Sequence, residues 1–340
     1  MRVSICIPTY NRAAHLSNCL QSIISNKLRS KIDFQVCVSD NCSTDETENV
    51  VLSAQKSITI EYRKATSNLG AARNILNVVR MADGGFVWVI GDDDLLLPYA
   101  IEELSDLIVK YPNVDYFYVN SYQLTTKYIF SFPQPFDTAN LPKSMKPFSS
   151  WSTSSEMRFT DLIDPRISFD FLGGIYLSVF RRENWISNTH IIDEAILSSN
   201  RVFSSFDSTF PHVKIFARAF ASSRAFFCAK PLSVCLFGAR EWAPMYPFVR
   251  SVRLVEALGE FRKNGLPYIK YLRCKNFALR AFLPDLVYML LNRDSSGFYY
   301  IKPISLITSN FLYPNFYFSV IYYLVRKLKA FFVSWFFRFV

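Results

Sequence analysis

Residues 87–98, Val87-Trp-Val-Ile-Gly-Asp-Asp-Asp-Leu-Leu-Leu-Pro98, constrain this chain more than any other stretch. An apolar run stops at Gly91, three aspartates follow, and a second apolar pattern begins near Pro98. Such a run before a glycine reads as a buried strand, and proline suits the first turn of a helix. The carboxylates then stand at the carboxyl end of a central strand, where open α/β sheets bind ligands. Three adjacent acids repel one another and cannot all be desolvated cheaply. A hard divalent cation, Mg2+ or Mn2+, shared with phosphate oxygens removes that cost. The plainer reading is a solvated acidic turn favoured by the dipole of the next helix.

The flanking sequence repeats the same unit. Arg2–Ile7 reads as a strand stopped by Pro8, and Asn11 is placed to cap a helix carrying Leu16, Cys19, Leu20 and Ile23 on one face. Strands are expected over 34–39 and 57–62, with helices opened by Thr44 and by Ser67 or Asn68; the latter helix carries Leu69, Ala72, Leu76 and Val79 on one face. With a helix over 98–110, these make four βα units and imply an α/β fold with a mostly parallel, Rossmann-like sheet and flanking helices. A strand over 115–121 follows, with a hairpin partner over 127–132. Residues 133–155 hold four prolines and no periodicity, so a functional loop, read as an acceptor-side flap, is expected there.

Composition narrows the class. At 340 residues, half of them hydrophobic, the chain can fill one large core or two modest ones. The cysteines form no CxxC pair and no zinc spacing, and no GxGxxG follows any strand, which argues against a disulfide framework, a zinc site and a dinucleotide fold. The start has no signal-peptide pattern, so a reducing, cytosolic setting is expected. Residues 251–340 hold 13 Lys/Arg and four Asp/Glu, most of the net +10, and 16 of the last 43 residues are aromatic. Basic, aromatic sequence suits nucleic acid or an anionic membrane surface. No nucleic-acid motif is present, so the membrane surface is favoured. Residues 304–325 are free of charge over 22 positions, long enough for a single span. Asn310, Pro314, Asn315 and many tyrosines argue instead for helices lying in the interface, and a helical cap packed on the domain is the third reading.

Ile7-Pro-Thr-Tyr-Asn-Arg12, Val38-Ser-Asp-Asn-Cys-Ser-Thr-Asp45, Asn68-Leu-Gly-Ala-Ala-Arg-Asn74 and Gly91-Asp-Asp-Asp-Leu-Leu-Leu-Pro98 together resemble the nucleotide-sugar-binding half of family 2 glycosyltransferases, enzymes of the GT-A fold. The chain is most similar to bacterial O-antigen sugar transferases, abequosyltransferase-like proteins among them. This resemblance implies a GT-A domain over 1–246, with a nucleotide-binding half (1–125) and an acceptor half (126–246), and a helical membrane-associating region over 247–340.

It also implies roles. Pro8, Thr9 and Tyr10 line the nucleotide rim, where Tyr10 can stack on the base and Asp40 can accept from its ring N–H or amino group. Arg12 and Arg73 are the cations for base or diphosphate. Asn68 belongs to this rim but suits the helix start better than substrate. The plain alternatives are a loop aromatic for Tyr10, a turn cap for Asp40 and solvated side chains for the arginines. The family's acidic motif is Asp-x-Asp-Asp, three residues, then proline; counting back from Pro98 puts Gly91 where the first aspartate is usual. Asp93 is then the first metal ligand, Asp94 shares the metal, and Asp92 goes to the nucleotide. Leu172–Phe180 resembles the second central strand, with Gly173 and Gly174 letting backbone approach the donor sugar.

An inverting transfer needs a base, and Phe206-Asp207 matches the family's acidic pair with only the second acid kept. Asp207 is the base, or else caps the helix running to Arg218; Asp193 and Glu194 are the fallbacks. His212 is expected to pack rather than assist the metal. Arg240 and Trp242 would close over the diphosphate. The implied activity moves a sugar from a nucleoside diphosphate sugar donor to a polyprenyl-diphosphate-linked oligosaccharide, peripherally on the cytoplasmic face of the inner membrane, for O-antigen or other cell-surface polysaccharide. A sugar nucleotidyltransferase competes, disfavoured because Ile7–Arg12 has no glycine. A non-catalytic binding protein on a degenerate glycosyltransferase fold is kept open by Gly91 and Phe206.

Overall fold

The computed structural model describes residues 2–29, 33–197, 203–238 and 242–336. Its first strands, β1 (Val3–Thr9), β2 (Phe34–Asp40), β3 (Ile60–Lys64) and β4 (Phe86–Val89), pair in parallel in the order β3-β2-β1-β4. Helices α1 (Ala13–Arg29), α2 (Thr47–Ala54) and α3 (Ala71–Met81) make the crossovers. All seven residues of β2 are buried, which explains runs that are apolar rather than alternating. The pleat still sorts side chains by face: Ile5 and Ile7 join a core under α1, while Cys6 joins one beneath α3.

Two helix starts differ from expectation. Asn11 does not cap α1; it takes a left-handed φ of 51° and its side chain accepts from Thr44 N at 2.8 Å. Thr44 does not cap α2 either. Asp45 serves both helices, accepting from Ala13 N at 3.0 Å and from Thr47 N at 3.1 Å. A single carboxylate between two helix N-termini satisfies orphan donors of each. Helix α3 starts only after Gly70, whose φ of 83° suits glycine, and Leu69 is left exposed outside the helix.

The sheet then changes direction. β6 (Tyr116–Thr125) does not pair with β4; the short antiparallel β9 (Ser178–Arg181) lies between them. The 14-residue β10 (Arg224–Phe237) runs parallel to β6, with an irregularity between Cys228 and Ser233. β5 (Leu95–Leu96) pairs antiparallel with β10, so the residues after the aspartates form a strand and α4 (Ala100–Lys110) begins later than expected. The full order is β3-β2-β1-β4-β9-β6-β10-β5, with β7 (Lys146–Pro147) on β6 and β8 (Ser155–Arg158) on β10. The hairpin expected over 127–132 is absent: Thr126–Ile129 is one helical turn, capped by Thr125 Oγ1 accepting from Tyr128 N at 3.3 Å. Residues 172–177 form a turn rather than strand, and β9 starts only at Ser178.

The core beneath α3 is aromatic. Tyr116 meets Phe159, Phe216 and Phe220 edge-on at 4.9–5.4 Å, and Phe180 stacks on Trp185 at 4.8 Å. Helices Leu254–Lys263, Tyr268–Ala278 and Phe282–Leu291 add Ala257, Leu258, Phe261, Cys274, Ala278 and Met289 to this same core. The uncharged stretch 304–325 is not one helix. It breaks at Phe311–Tyr313 into Pro303–Asn310 and Pro314–Phe336, because Pro314 has no N–H to continue the first and suits the start of the second. Among the described residues no helix is long and apolar enough to cross a membrane. The last helix docks through Phe316 on Phe282, and Ser319 Oγ accepts from Leu283 N at 3.3 Å. Beyond that contact Tyr317, Phe318, Ile321, Tyr322, Leu324 and Val325 are exposed.

Candidate active site

β4 delivers the three aspartates to the carboxyl edge of the parallel sheet, next to the end of β1. The chain turns there: Asp94 N donates to Gly91 O at 3.1 Å, and Gly91 N donates back to Asp94 Oδ2 at 3.0 Å. Asp92 is buried and accepts from Thr9 Oγ1 at 2.8 Å. The Arg12 guanidinium spans the pair, with Nε 3.2 Å from Asp92 Oδ1 and Nη2 3.1 Å from Asp93 Oδ2. A cation, a hydroxyl and a backbone N–H thus answer the mutual repulsion of the acids.

This arrangement fits a divalent cation. A Cβ placed at Gly91 would meet Asp93 Oδ1 at 2.8 Å and Asp94 Oδ2 at 3.0 Å, so oxygens of two carboxylates close on one point that a side chain at 91 would fill. Among the described residues no three His, Cys, Asp or Glu side chains group to enclose a metal. Two carboxylates with the rest of the shell left to phosphate oxygens and water is a usual arrangement for Mg2+. Asp93 and Asp94 are the residues that would hold it.

The rim extends over the ends of β1 and β2. Tyr10 is 41% exposed, Pro8 half-buried. Asp40 sits differently from expectation: it is fully buried, Oδ1 accepting from Ser43 N and Oδ2 from Tyr62 OH, both at 2.7 Å. As it stands it builds the turn and holds Tyr62 rather than facing the cleft. Burial and the Asp40 contact together push the Tyr62 hydroxyl's pKa up. Asn68 accepts from Asn41 Nδ2 at 2.7 Å and Gly70 N at 2.9 Å, shaping the approach to α3. Arg73 lies half-buried in the first turn of α3. Asn74, which the sequence did not single out, ties that helix to both strands, donating to Ser39 O at 2.9 Å and Thr9 O at 3.3 Å.

β9 runs antiparallel to β4 with Val179 opposite Trp88, so the residues before Ser178 return towards the acidic edge. Trp88 Nε1 fixes them, donating to Tyr176 O at 2.8 Å. The Tyr176 hydroxyl is driven to a high pKa by burial, with Cys235, Asp170 and Asp94 adding, which puts it in the field of both aspartates. Asp170 accepts from Ser168 Oγ at 2.5 Å and from Gly174 N at 2.8 Å. Between them Phe171 and Leu172 adopt left-handed φ values of 49° and 65°. For bulky residues such strain costs about 1–3 kcal/mol each and persists only where surroundings enforce it.

Ser205, not Asp207, caps the turn Phe206–Thr209, and Asp207 lies within it, 5% exposed. Lys214 Nζ donates to its two oxygens at 2.9 and 2.7 Å, and Asp193 N to Oδ2 at 3.2 Å. Asp193's own carboxylate accepts from Ala195 N at 2.9 Å. The Glu194 side chain and Arg240 lie outside the described residues. Trp242 packs against Phe203 and Tyr246, at 5.4 and 6.2 Å between centroids. His212 is buried between Phe210 and Phe216, with Nε2 2.9 Å from Gly173 O; burial lowers its pKa to about 4. His15, one turn after Arg12 on α1, meets Phe130 edge-on at 5.0 Å, and its pKa is lowered by burial and by the nearby Arg12 charge. His15 had a local signal in its i, i+3 spacing from Arg12; Asp170, Tyr176 and Lys214 had none.

Residues 4–155 match the family model described as glycosyl transferase family 2. Abequosyltransferase RfbV of Salmonella typhimurium is 43% identical over 98 residues, 28% of this chain and 29% of that protein. Poly(ribitol-phosphate) beta-N-acetylglucosaminyltransferase TarS of Staphylococcus aureus is 28% identical over 109 residues, 32% of this chain and 19% of that protein. These matches span roughly a third or less of either relative's length. The crystal structure of residues 1–349 of S. aureus TarS superposes with a TM-score of 0.52 at 14% identity, covering 88% of this chain and 89% of that one, a likeness of fold. The same construction of mixed sheet, flanking helices and helical C-terminal region is the GT-A architecture.

Proposed function

We propose that this chain, whose residues 4–155 match the family 2 glycosyltransferase model, is an inverting glycosyltransferase that moves a sugar from a nucleoside diphosphate sugar to a lipid-linked glycan. The observation carrying this reading is the pair of carboxylate oxygens, Asp93 Oδ1 and Asp94 Oδ2, closing on one point beside Arg12 at the carboxyl edge of the parallel sheet. A chain built only to bind a neutral ligand has no need of that concentration of charge. Tyr10 offers its face to the nucleotide base. Arg73, with a planar fork at the same edge, is the donor set for a diphosphate oxygen. Bound Mg2+ or Mn2+ would supply Lewis-acid neutralisation of the departing diphosphate.

Asp207 takes the proton of the acceptor hydroxyl as that oxygen bonds to the anomeric carbon and the bond to the diphosphate oxygen breaks, with inversion. Lys214 compensates the burial of the Asp207 carboxylate while it waits. Trp242 is the aromatic assigned to the donor and acceptor side, with Arg240, two residues before it in sequence, as the cation assigned with it. Exposed Tyr317, Phe318, Ile321, Tyr322, Leu324 and Val325, next to Lys327, suit an anionic bilayer surface, where a polyprenyl-diphosphate-linked oligosaccharide would be presented. This fits a peripheral position on the cytoplasmic face of the inner membrane and O-antigen synthesis, the process the abequosyltransferase likeness suggests.

The test is thermal stabilisation of the purified protein by CDP, UDP, GDP and dTDP, each with and without Mn2+. A ligand that prefers the native state raises the melting temperature, so one nucleotide should do so, and the metal should enlarge the shift. No shift with any nucleotide, from a cooperatively melting sample, would sink the reading.

A further inference from the structure

The turn Ser168–Gly174 is over-determined. Ser168 Oγ donates to Asp170 Oδ1 and accepts from Leu172 N at 3.0 Å; Gly173 N donates to Asp170 O at 2.9 Å; Gly174 N donates to Asp170 Oδ2. From outside, His212 Nε2 reaches Gly173 O at 2.9 Å. These bonds hold Phe171 and Leu172, both fully buried, in consecutive left-handed conformations. A strained pair of bulky residues persists only where the surroundings over-determine it, and such pairs cluster at active sites and ligand clamps.

The path leads to the candidate site. The segment after the turn returns to the acidic edge through Trp88 Nε1 and Tyr176 O, and Tyr176 shares the field of Asp94 and Asp170. Both glycines are without room for a side chain: a Cβ at Gly173 would meet Asp170 O at 3.0 Å, and one at Gly174 the Tyr176 ring at 2.9 Å. A Cβ at Gly173 would also meet the Phe210 ring at 3.4 Å, just after the turn that holds Asp207, while Gly174 leads through Tyr176 to the acidic edge, so this backbone links the two. His212 adds an independent sign. It sits among Phe210 and Phe216, where a third phenylalanine would fill the volume, yet it is an imidazole whose Nδ1 has no hydrogen-bond partner. Its one useful polar atom is the Nε2–H given to Gly173 O, and burial keeps the ring neutral for that task.

We propose that Asp170 and His212 are positioning residues that, through the buried Phe171–Leu172 pair, hold the Gly173–Gly174 backbone as a fixed wall against the donor sugar, so that recognition of the sugar, as distinct from the nucleotide, depends on them. This rests on the glycosyltransferase reading above. The nucleotide rim is carried by other elements, Tyr10 at the end of β1 and Arg73 in the first turn of α3, so its affinity is expected to be independent of the turn.

The experiment compares His212→Phe, which keeps a ring and removes the donor, His212→Gln, whose amide restores it, and Asp170→Ala. Each is titrated calorimetrically with UDP, GDP, CDP and dTDP sugars and with the matching nucleoside diphosphates, in Mn2+. His212→Phe and Asp170→Ala should weaken the sugar nucleotide about tenfold or more and its nucleoside diphosphate less than about twofold, with His212→Gln recovering most of the loss. Equal loss of both ligands, loss of neither, or failure of His212→Gln to recover overturns the inference. A wild-type protein that binds none of the nucleotides overturns the glycosyltransferase reading with it, and is told apart by that control alone.

Discussion

Acidification tests the environment of His212 quantitatively. The ring is 3% exposed and its pKa falls from 6.5 to about 4 through burial. Because the native value lies below the unfolded one, the unfolded chain binds the extra proton first. Stability from the neutral ring is fully present above about pH 6.5, declines as pH falls, and is gone below about pH 4. At 1.36 kcal/mol per unit, the whole decline is about 3 kcal/mol, with a slope of about 1.4 kcal/mol per pH unit between those limits. Other groups titrate over the same range, so the measurement is a difference. Urea unfolding of wild type and His212→Gln is followed from pH 7.5 to 4, and the two free energies are subtracted. The variant has no ring to protonate, so it should gain on wild type by about 3 kcal/mol across the window, whatever its stability at neutral pH. Parallel pH profiles would refute the argument: His212 would then be reachable by water and no rigid prop for Gly173.

Three further outcomes follow from the geometry. Asp93→Asn keeps a partly exposed, sterically equal side chain, so melting should change little while sugar transfer falls by about 100-fold or more; unimpaired turnover would remove Asp93 from the site. Lys214→Met leaves the buried Asp207 carboxylate without its counter-charge and should cost about 3 kcal/mol in chemical denaturation, an effect that Asp207→Asn made alongside should largely relieve. Ile321→Asp with Leu324→Asp, both exposed, should leave the melting temperature unchanged and cut sedimentation with phosphatidylglycerol vesicles about tenfold; unchanged sedimentation would move the membrane contact elsewhere, and a change in oligomeric state would point to a second copy of the chain.

What the sequence disclosed follows the range of the forces involved. Parallel strands β1 to β4 were legible because each is a short apolar run bounded by its own turn, and α1 and α3 because their stripes are periodic. The second half was not, because its strands are defined by partners far away. Leu95–Leu96 is a strand only because β10 lies beside it, and β9 is four residues whose pairing is set by β4 and β6. In the site, Asp92, Asp93 and Asp94 were visible as a run, and Arg12 through a motif three residues from Thr9. The burial of Asp40 was not, since Tyr62 reaches it from β3. Nor was Asp170, whose importance lies in Gly174 N and the fold of its own turn.

Gly91 sits where the acidic cluster turns back on itself. Read as sequence, a glycine in place of an acid looks like loss of a ligand. The geometry gives it another meaning. Asp92 is committed to Thr9 and Arg12, and Arg12 also holds Asp93 Oδ2, so the inner faces of the cluster are satisfied by the protein. Asp93 Oδ1 and Asp94 Oδ2, the latter also accepting from Gly91 N at 3.0 Å, both close on the position of the missing Cβ. The nearest atoms a methyl group there would meet belong to the Asp93 and Asp94 carboxylates, side chains that can rotate aside, so Gly91→Ala should change stability by less than about 1 kcal/mol. Rotating them aside, however, separates the two oxygens that a hard cation needs together. The Mn2+-dependent part of nucleotide stabilisation should therefore vanish in Gly91→Ala while the metal-independent part survives. If the metal-dependent shift persists undiminished, the cation is held elsewhere, and the space above Gly91 is only an accident of a tight turn.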